Sequence, residues 1–122
     1  MATLNTKTNP DINFVIFEEI KLVMEDDFGE FLTAFITDSE NRLKQLATLL
    51  ENNDSILMAE VAHSFKGSAL NLGAADVARR CYVLESAAKS STLSSRADAM
   101  KLALTDLEQS WESTSAELLK AV

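Results

Sequence analysis

The run His63-Ser64-Phe65-Lys66-Gly67-Ser68-Ala69-Leu70-Asn71-Leu72-Gly73 holds the only histidine of the chain and two of its three glycines. It reads as a helix with a hidden face and an open one. With His63 at zero and ~100° per residue, Val61 falls near ~160°, Leu72 near ~180°, Phe65 near ~200°, Met58 near ~220° and Ala69 near ~240°. These residues form one apolar face, and it points away from His63. Lys66 at i+3 and Gly67 at i+4 share the histidine's side. A glycine in a helix interior costs about 1 kcal/mol against alanine, and packing on a solvent face does not explain that cost. Ile56, Ala59 and Leu70 fall near ~20°, ~320° and ~340°. They form an apolar strip around His63 that the core does not use, and such small patches suit docking.

Working outward, Gly73 is a natural C-terminal stop for this helix. Asn52-Asn53-Asp54-Ser55 supplies N-cap residues at its start. Upstream, Phe28, Leu32, Phe35, Ser39, Leu43, Leu46 and Leu50 repeat at threes and fours and predict a long helix to about Asn52. Asp26-Asp27 places acid at its start, where the helix dipole favours it. A short amphipathic segment with Phe14, Phe17, Ile20 and Met24 precedes it. Downstream, a helix over about Ala75–Lys89 buries Val77, Cys81, Leu84 and Ala88. Ser90–Ser95 is a hydroxyl-rich linker. The last helix carries Ala97, Met100, Leu104, Leu107, Trp111 and Leu118 on one stripe. The expected fold is all-α: an antiparallel four-helix bundle with a short additional N-terminal helix capping one end.

The chain has 122 residues, enough for one domain with its own core. The division expected is a flexible tail over 1–10, ending in Asn9-Pro10, and the bundle over 11–122. Whether this is a whole protein or one domain of a longer one stays open. A net charge of −8 argues against nucleic acid, which needs a basic footprint, and against an anionic membrane surface. No apolar stretch is long enough to span a bilayer, and the N-terminus lacks an apolar signal core. The single Cys81 excludes an internal disulfide and suits a reducing compartment, so the expected location is cytoplasmic. Cys81, Trp111 and the phenylalanines read as core. Arg79 and Arg80 read as solvated, or as pairs for an acidic partner. One histidine and one cysteine make a metal site improbable, and no metal or other cofactor is expected.

The segment Ala62-His63-Ser64-Phe65-Lys66-Gly67, with Gly73 six residues on and Leu84-Glu85 downstream, resembles the histidine phosphotransfer (HPt) domains of bacterial multistep phosphorelays. The acidic start Asp26-Asp27-Phe28 is similar too, and the resemblance covers roughly residues 14–119. It implies that His63 takes a phosphoryl group from a receiver-domain aspartate and passes it to another. The Mg²⁺ for that chemistry would sit in the receiver, so the chain would be a phosphocarrier and not an enzyme. The absence of a nucleotide loop, a kinase signature and a hydrolytic triad agrees. The implied partners are receiver domains of hybrid sensor kinases and response regulators, and a monomer is expected.

Each part of the resemblance has a physical reason. Imidazole is largely neutral at pH 7 and offers one nitrogen as a nucleophile. Lys66 would meet the arriving phosphoryl charge, and Gly67 would clear room for the receiver backbone. Ile56, Ala59, Leu70 and Glu85 are the expected docking residues for the receiver. Glu85 stands where family members often carry glutamine. Its carboxylate could hydrogen-bond the imidazole but would repel a phosphate, so its role stays open. Two other classes compete: a helical adaptor that binds a receiver without taking phosphate, and a metal- or haem-binding bundle.

Overall fold

A computed structural model describes residues 11–121; the tail expected over residues 1–10 lies outside the described residues, as does Val122. Helix α1 spans Phe14–Met24, α2 Phe28–Glu51, α3 Ser55–Leu72, α4 Ala75–Ala88 and α5 Leu93–Leu119. A 3₁₀ turn, Glu25–Asp27, joins α1 to α2. Links of a few residues turn the chain back after α2, α3 and α4. Each of these helices packs on the next, and α5 closes the ring on α2. No strand occurs among the described residues. The architecture is the four-helix bundle, with α1 resting on α2 and α3 as the additional helix.

The helix ends follow the local chemistry. The Asn13 side chain accepts hydrogen bonds from the N–H groups of Val15 and Ile16 and caps α1. Asp54 does the same for α3 through the N–H of Leu57. Gly73 adopts φ +89 and ends α3. Its N–H bonds the carbonyl of Leu70, and the N–H of Ala74 bonds that of Ala69, the two bonds of a Schellman motif. The Gly73 carbonyl accepts from Asn13 N–H at 2.7 Å. A Cβ at this position would meet the Asn13 oxygen at 2.6 Å, so only glycine fits both the turn and the approach of α1.

The core is a single cluster from all five helices. Met58, Phe65, Ala69 and Leu72 of α3 are fully buried, as are Leu32 and Leu46 of α2, Val77, Cys81 and Leu84 of α4, and Met100 and Leu107 of α5. Trp111 packs between Phe35 and Phe65. Burying each large apolar side chain contributes about 1.5–3 kcal/mol. Turning α3 far enough to hide His63 would expose several of them at once, so the rotation of α3 is settled by its inner face. Some expectations shift. Phe14 is exposed and Phe31 half-buried, so not every phenylalanine is core. Leu49 is buried where Leu50 is only half-buried. Ala97 is exposed, because α5 begins at Leu93, inside the expected linker, and its first turns run past the end of the core.

Candidate functional site

His63 lies on the outer face of α3 with its side chain 68% exposed. Its Nδ1 is 3.0 Å from Glu85 Oε2, across the α3–α4 contact. Glu85 is the opposite case, with a side chain only 8% exposed. Lys66 Nζ donates to its Oε1 at 3.1 Å and Lys89 Nζ to its Oε2 at 3.0 Å. Burial alone would push this carboxyl up, but the hydrogen bonds from Lys89 and Lys66, and their charges, outweigh it and hold the pKa at about 2. Glu85 is therefore ionised and can only accept. It follows that Nδ1 carries the proton and donates. In the neutral ring the lone pair is then on Nε2, at the edge turned away from the carboxylate.

Lys66 is 23% exposed and 5.2 Å from the centre of the Tyr82 ring. It shares the Glu85 carboxylate with Lys89, so two cations meet one anion there. Gly67 is exposed, and an added Cβ would meet nothing within 4 Å. The molecule's own packing gives no reason for a glycine there. Ile56 and Leu70 are 75% and 53% exposed. They stand seven residues before and after His63, about 10 Å along the axis on either side at ~1.5 Å per residue. The nucleophile candidate thus sits midway on an open line of α3. Beside it a cleft of about 730 Å³ runs between Ile56, Ala59, Ala88, Lys89 and Arg96.

Two expected docking residues need correction. Ala59 is 7% exposed, not part of an open strip. It faces the flank where α4 packs most extensively on α3, and its short side chain lies at the floor of the cleft below its neighbours. Glu85 is also buried, so it supports the imidazole from behind instead of presenting a surface. Arg79 and Arg80 pair within the chain, with Asp76 and, for Arg79, also Asp11. Sequence reasoning missed Lys89, although its i+4 spacing from Glu85 was a usable signal. It also missed Arg42, which donates to Ser68 Oγ at 3.0 Å and Ser64 Oγ at 3.3 Å from α2.

The small helical bundle thus holds one solvent-facing imidazole against an ionised, buried carboxylate. The chain belongs to the Hpt domain family, whose model matches residues 30–116. Histidine phosphotransfer is accordingly the class of its role, that of a phosphocarrier. Among solved structures it is similar to histidine-containing phosphotransfer protein B (HptB) from Pseudomonas aeruginosa PAO1. That match has 28% identity and a TM-score of 0.73, and covers 91% of this chain and 96% of the other. It is also similar in fold to the histidine-containing phosphotransfer protein ZmHP2 from maize, at 20% identity and a TM-score of 0.70, covering 92% and 87%. A comparison with curated proteins found no sequence match. No helix of the described residues is long and apolar enough to cross a membrane.

Proposed function

We infer that His63 is the phosphoacceptor of a phosphorelay, exchanging a phosphoryl group with the aspartates of receiver domains. The observation that carries this is the Nδ1–Glu85 hydrogen bond, which leaves Nε2 as the free, outward nitrogen. Its lone pair attacks the phosphorus of a receiver aspartyl phosphate. The N–P bond forms, the P–O bond to the aspartyl oxygen breaks, and that oxygen leaves as carboxylate. The phosphorylated ring keeps its proton on Nδ1 and becomes cationic, and the Glu85 carboxylate stabilises that charge. Reversal onto a second receiver aspartate returns the neutral ring. Mg²⁺ for the transfer belongs to the receiver.

In this reading Glu85 does not repel the phosphate, because it faces the opposite edge of the ring and its charge is matched by two lysines. Lys66, one turn from His63, adds positive charge where the phosphoryl oxygens arrive. Gly67 leaves space for the receiver, and Ile56 and Leu70 dock it. The test is phosphate transfer from a panel of phosphorylated receiver domains with Mg²⁺. Wild-type protein should take up an acid-labile label, and His63→Gln should take up none while keeping its helicity. Label persisting on His63→Gln would assign the carrier elsewhere. Receiver binding with no label on the wild type would make the chain an adaptor.

A further inference from the structure

The two flanks of α3 treat their cations differently. On the α4 side, Lys66 and Lys89 are both bound to Glu85. On the α2 side, Arg42 is half-buried, and no ion pair among the described residues includes it. Its Nη1 and Nη2 are held instead by two neutral hydroxyls, those of Ser68 and Ser64. Its guanidinium carbon lies 5.9 Å from the centre of the Phe65 ring, a cation–π contact. A guanidinium has five donors, and a carboxylate can take two of them in parallel. The Nη1–Nη2 edge now shared by two serines is one that a carboxylate can grip with two parallel bonds.

The position is equally specific. Ser64 and Ser68 each follow one residue after His63 and Gly67, so they form the next row round α3. A depression of about 170 Å³ opens beside Arg42, lined among others by Phe31, Phe35, Asp38 and Ser68. It has the scale of one side chain. The geometry points to Arg42 as a second anchor of the docking face, a pre-positioned cation that takes an aspartate or glutamate side chain of the receiver domain. This rests on the phosphorelay reading above. On docking, the carboxylate displaces the serines from the guanidinium edge, replacing neutral hydrogen bonds by charge-assisted ones. Asp38, on the rim, opposes a second acidic group there.

The experiment separates docking from chemistry. Phosphoramidate, a small donor that loses ammonia as it phosphorylates imidazole, labels His63 without any receiver. A phosphorylated receiver domain that transfers to the wild type serves as the second donor. Arg42→Met should leave phosphoramidate labelling within about twofold. It should raise the KM for the receiver about tenfold with little change in kcat, and weaken the salt dependence of KM. Arg42→Lys should fall between, keeping charge without the fork, and Asp38→Asn should lower KM. In the wild type, the Arg42 side-chain NMR resonances should shift on titration with the receiver. Unmoved resonances, or an unchanged KM with only a lower melting temperature, would reduce Arg42 to a clamp between α2 and α3. Equal losses with both donors would place it in the chemistry and overturn docking. Failure of phosphoramidate to label His63, or of every receiver to transfer, overturns the phosphoacceptor reading itself.

Discussion

Helix α4 carries two acid-centred clusters, one at each end, and only one of them leaves a valence open. At its start, Asp76 accepts from Arg79 at 2.7 Å and from the Ser110 hydroxyl at 2.5 Å, with Arg80 at 3.7 Å. Arg79 reaches on to Asp11 at 2.9 Å. This cluster ties the segment before α1 and the middle of α5 to the first turn of α4, where the helix dipole also favours the acid. Burial would raise the Asp76 carboxyl, but Ser110 and the two arginines hold it below the ordinary range. Its members satisfy one another. At the other end, Glu85 gathers two lysines in the same way, but its third partner is an imidazole with one nitrogen committed and a largely exposed side chain. What marks the Glu85 cluster as the candidate site is the group it leaves unsatisfied, not the strength of its pairs.

The sharpest way to break the comparison is to remove each acid. Glu85→Ala takes the charged acceptor from Nδ1, and such bonds are worth about 1.5–3 kcal/mol. Transfer from a phosphorylated receiver should therefore fall about 10- to 100-fold, with helicity retained by circular dichroism. Asp76→Asn should lower the melting temperature yet leave transfer within about twofold. If both variants lost transfer equally, the two ends of α4 would not differ in kind.

Acid unfolding sharpens what the clusters share. Both carboxyls lie below their ordinary values in the fold, so each contributes stability that is full above the unfolded pKa and is lost as pH falls through the folded one. For Glu85 that loss runs from about pH 4.5 down to about 2. Denaturant unfolding across this window should show a steep fall for the wild type and a shallower one for Glu85→Gln. Parallel curves would mean that Glu85 is as accessible to protons folded as unfolded.

Lys66 tests the division of labour inside the open cluster. It shares Glu85 with Lys89, so Lys66→Ala leaves the carboxylate one cation. Transfer should slow about tenfold, one charge-assisted bond at ~1.4 kcal/mol per decade. Binding of the unphosphorylated receiver should change much less. Equal losses in binding and transfer would make Lys66 a docking residue.

The fold and the centre of the site were legible for the same reason: both depend on spacing along single helices. The inner face of α3, with Met58, Phe65, Ala69 and Leu72, fixes its rotation, and the position of His63 follows. What was not legible depends on neighbours. Ala59 falls on the outward side of α3 by angle, yet the close approach of α4 buries it, and Glu85, ~40° round the wheel from Cys81, is a charged residue buried at the edge of the α4 stripe. Arg42 meets Ser64 and Ser68 across 22 and 26 residues of chain. Periodicity along one helix has no information about such a contact.

The smallest expected effect separates Gly67, inside α3, from Gly73, which ends it. Gly73 is required inside the molecule, by its φ of +89 and by the Asn13 oxygen 2.6 Å from where a Cβ would stand. Gly73→Ala must strain that turn and should lower stability. Gly67 has neither constraint: it lies within the helix, with nothing within 4 Å of an added Cβ. Gly67→Ala should then gain the helix propensity that glycine forgoes, about 1 kcal/mol, or ~3–5 °C in melting temperature for a chain of this size. The same variant should slow receiver transfer slightly, and Gly67→Gln much more, as the side chain grows between His63 and its partner. Gly29 is a matched control, because its Cβ position is also open but lies on α2, in the first turn. Gly29→Ala should leave transfer unchanged. A Gly67→Ala protein that is less stable than wild type would place the reason for this glycine inside the fold, and the contrast with Gly73 would be lost.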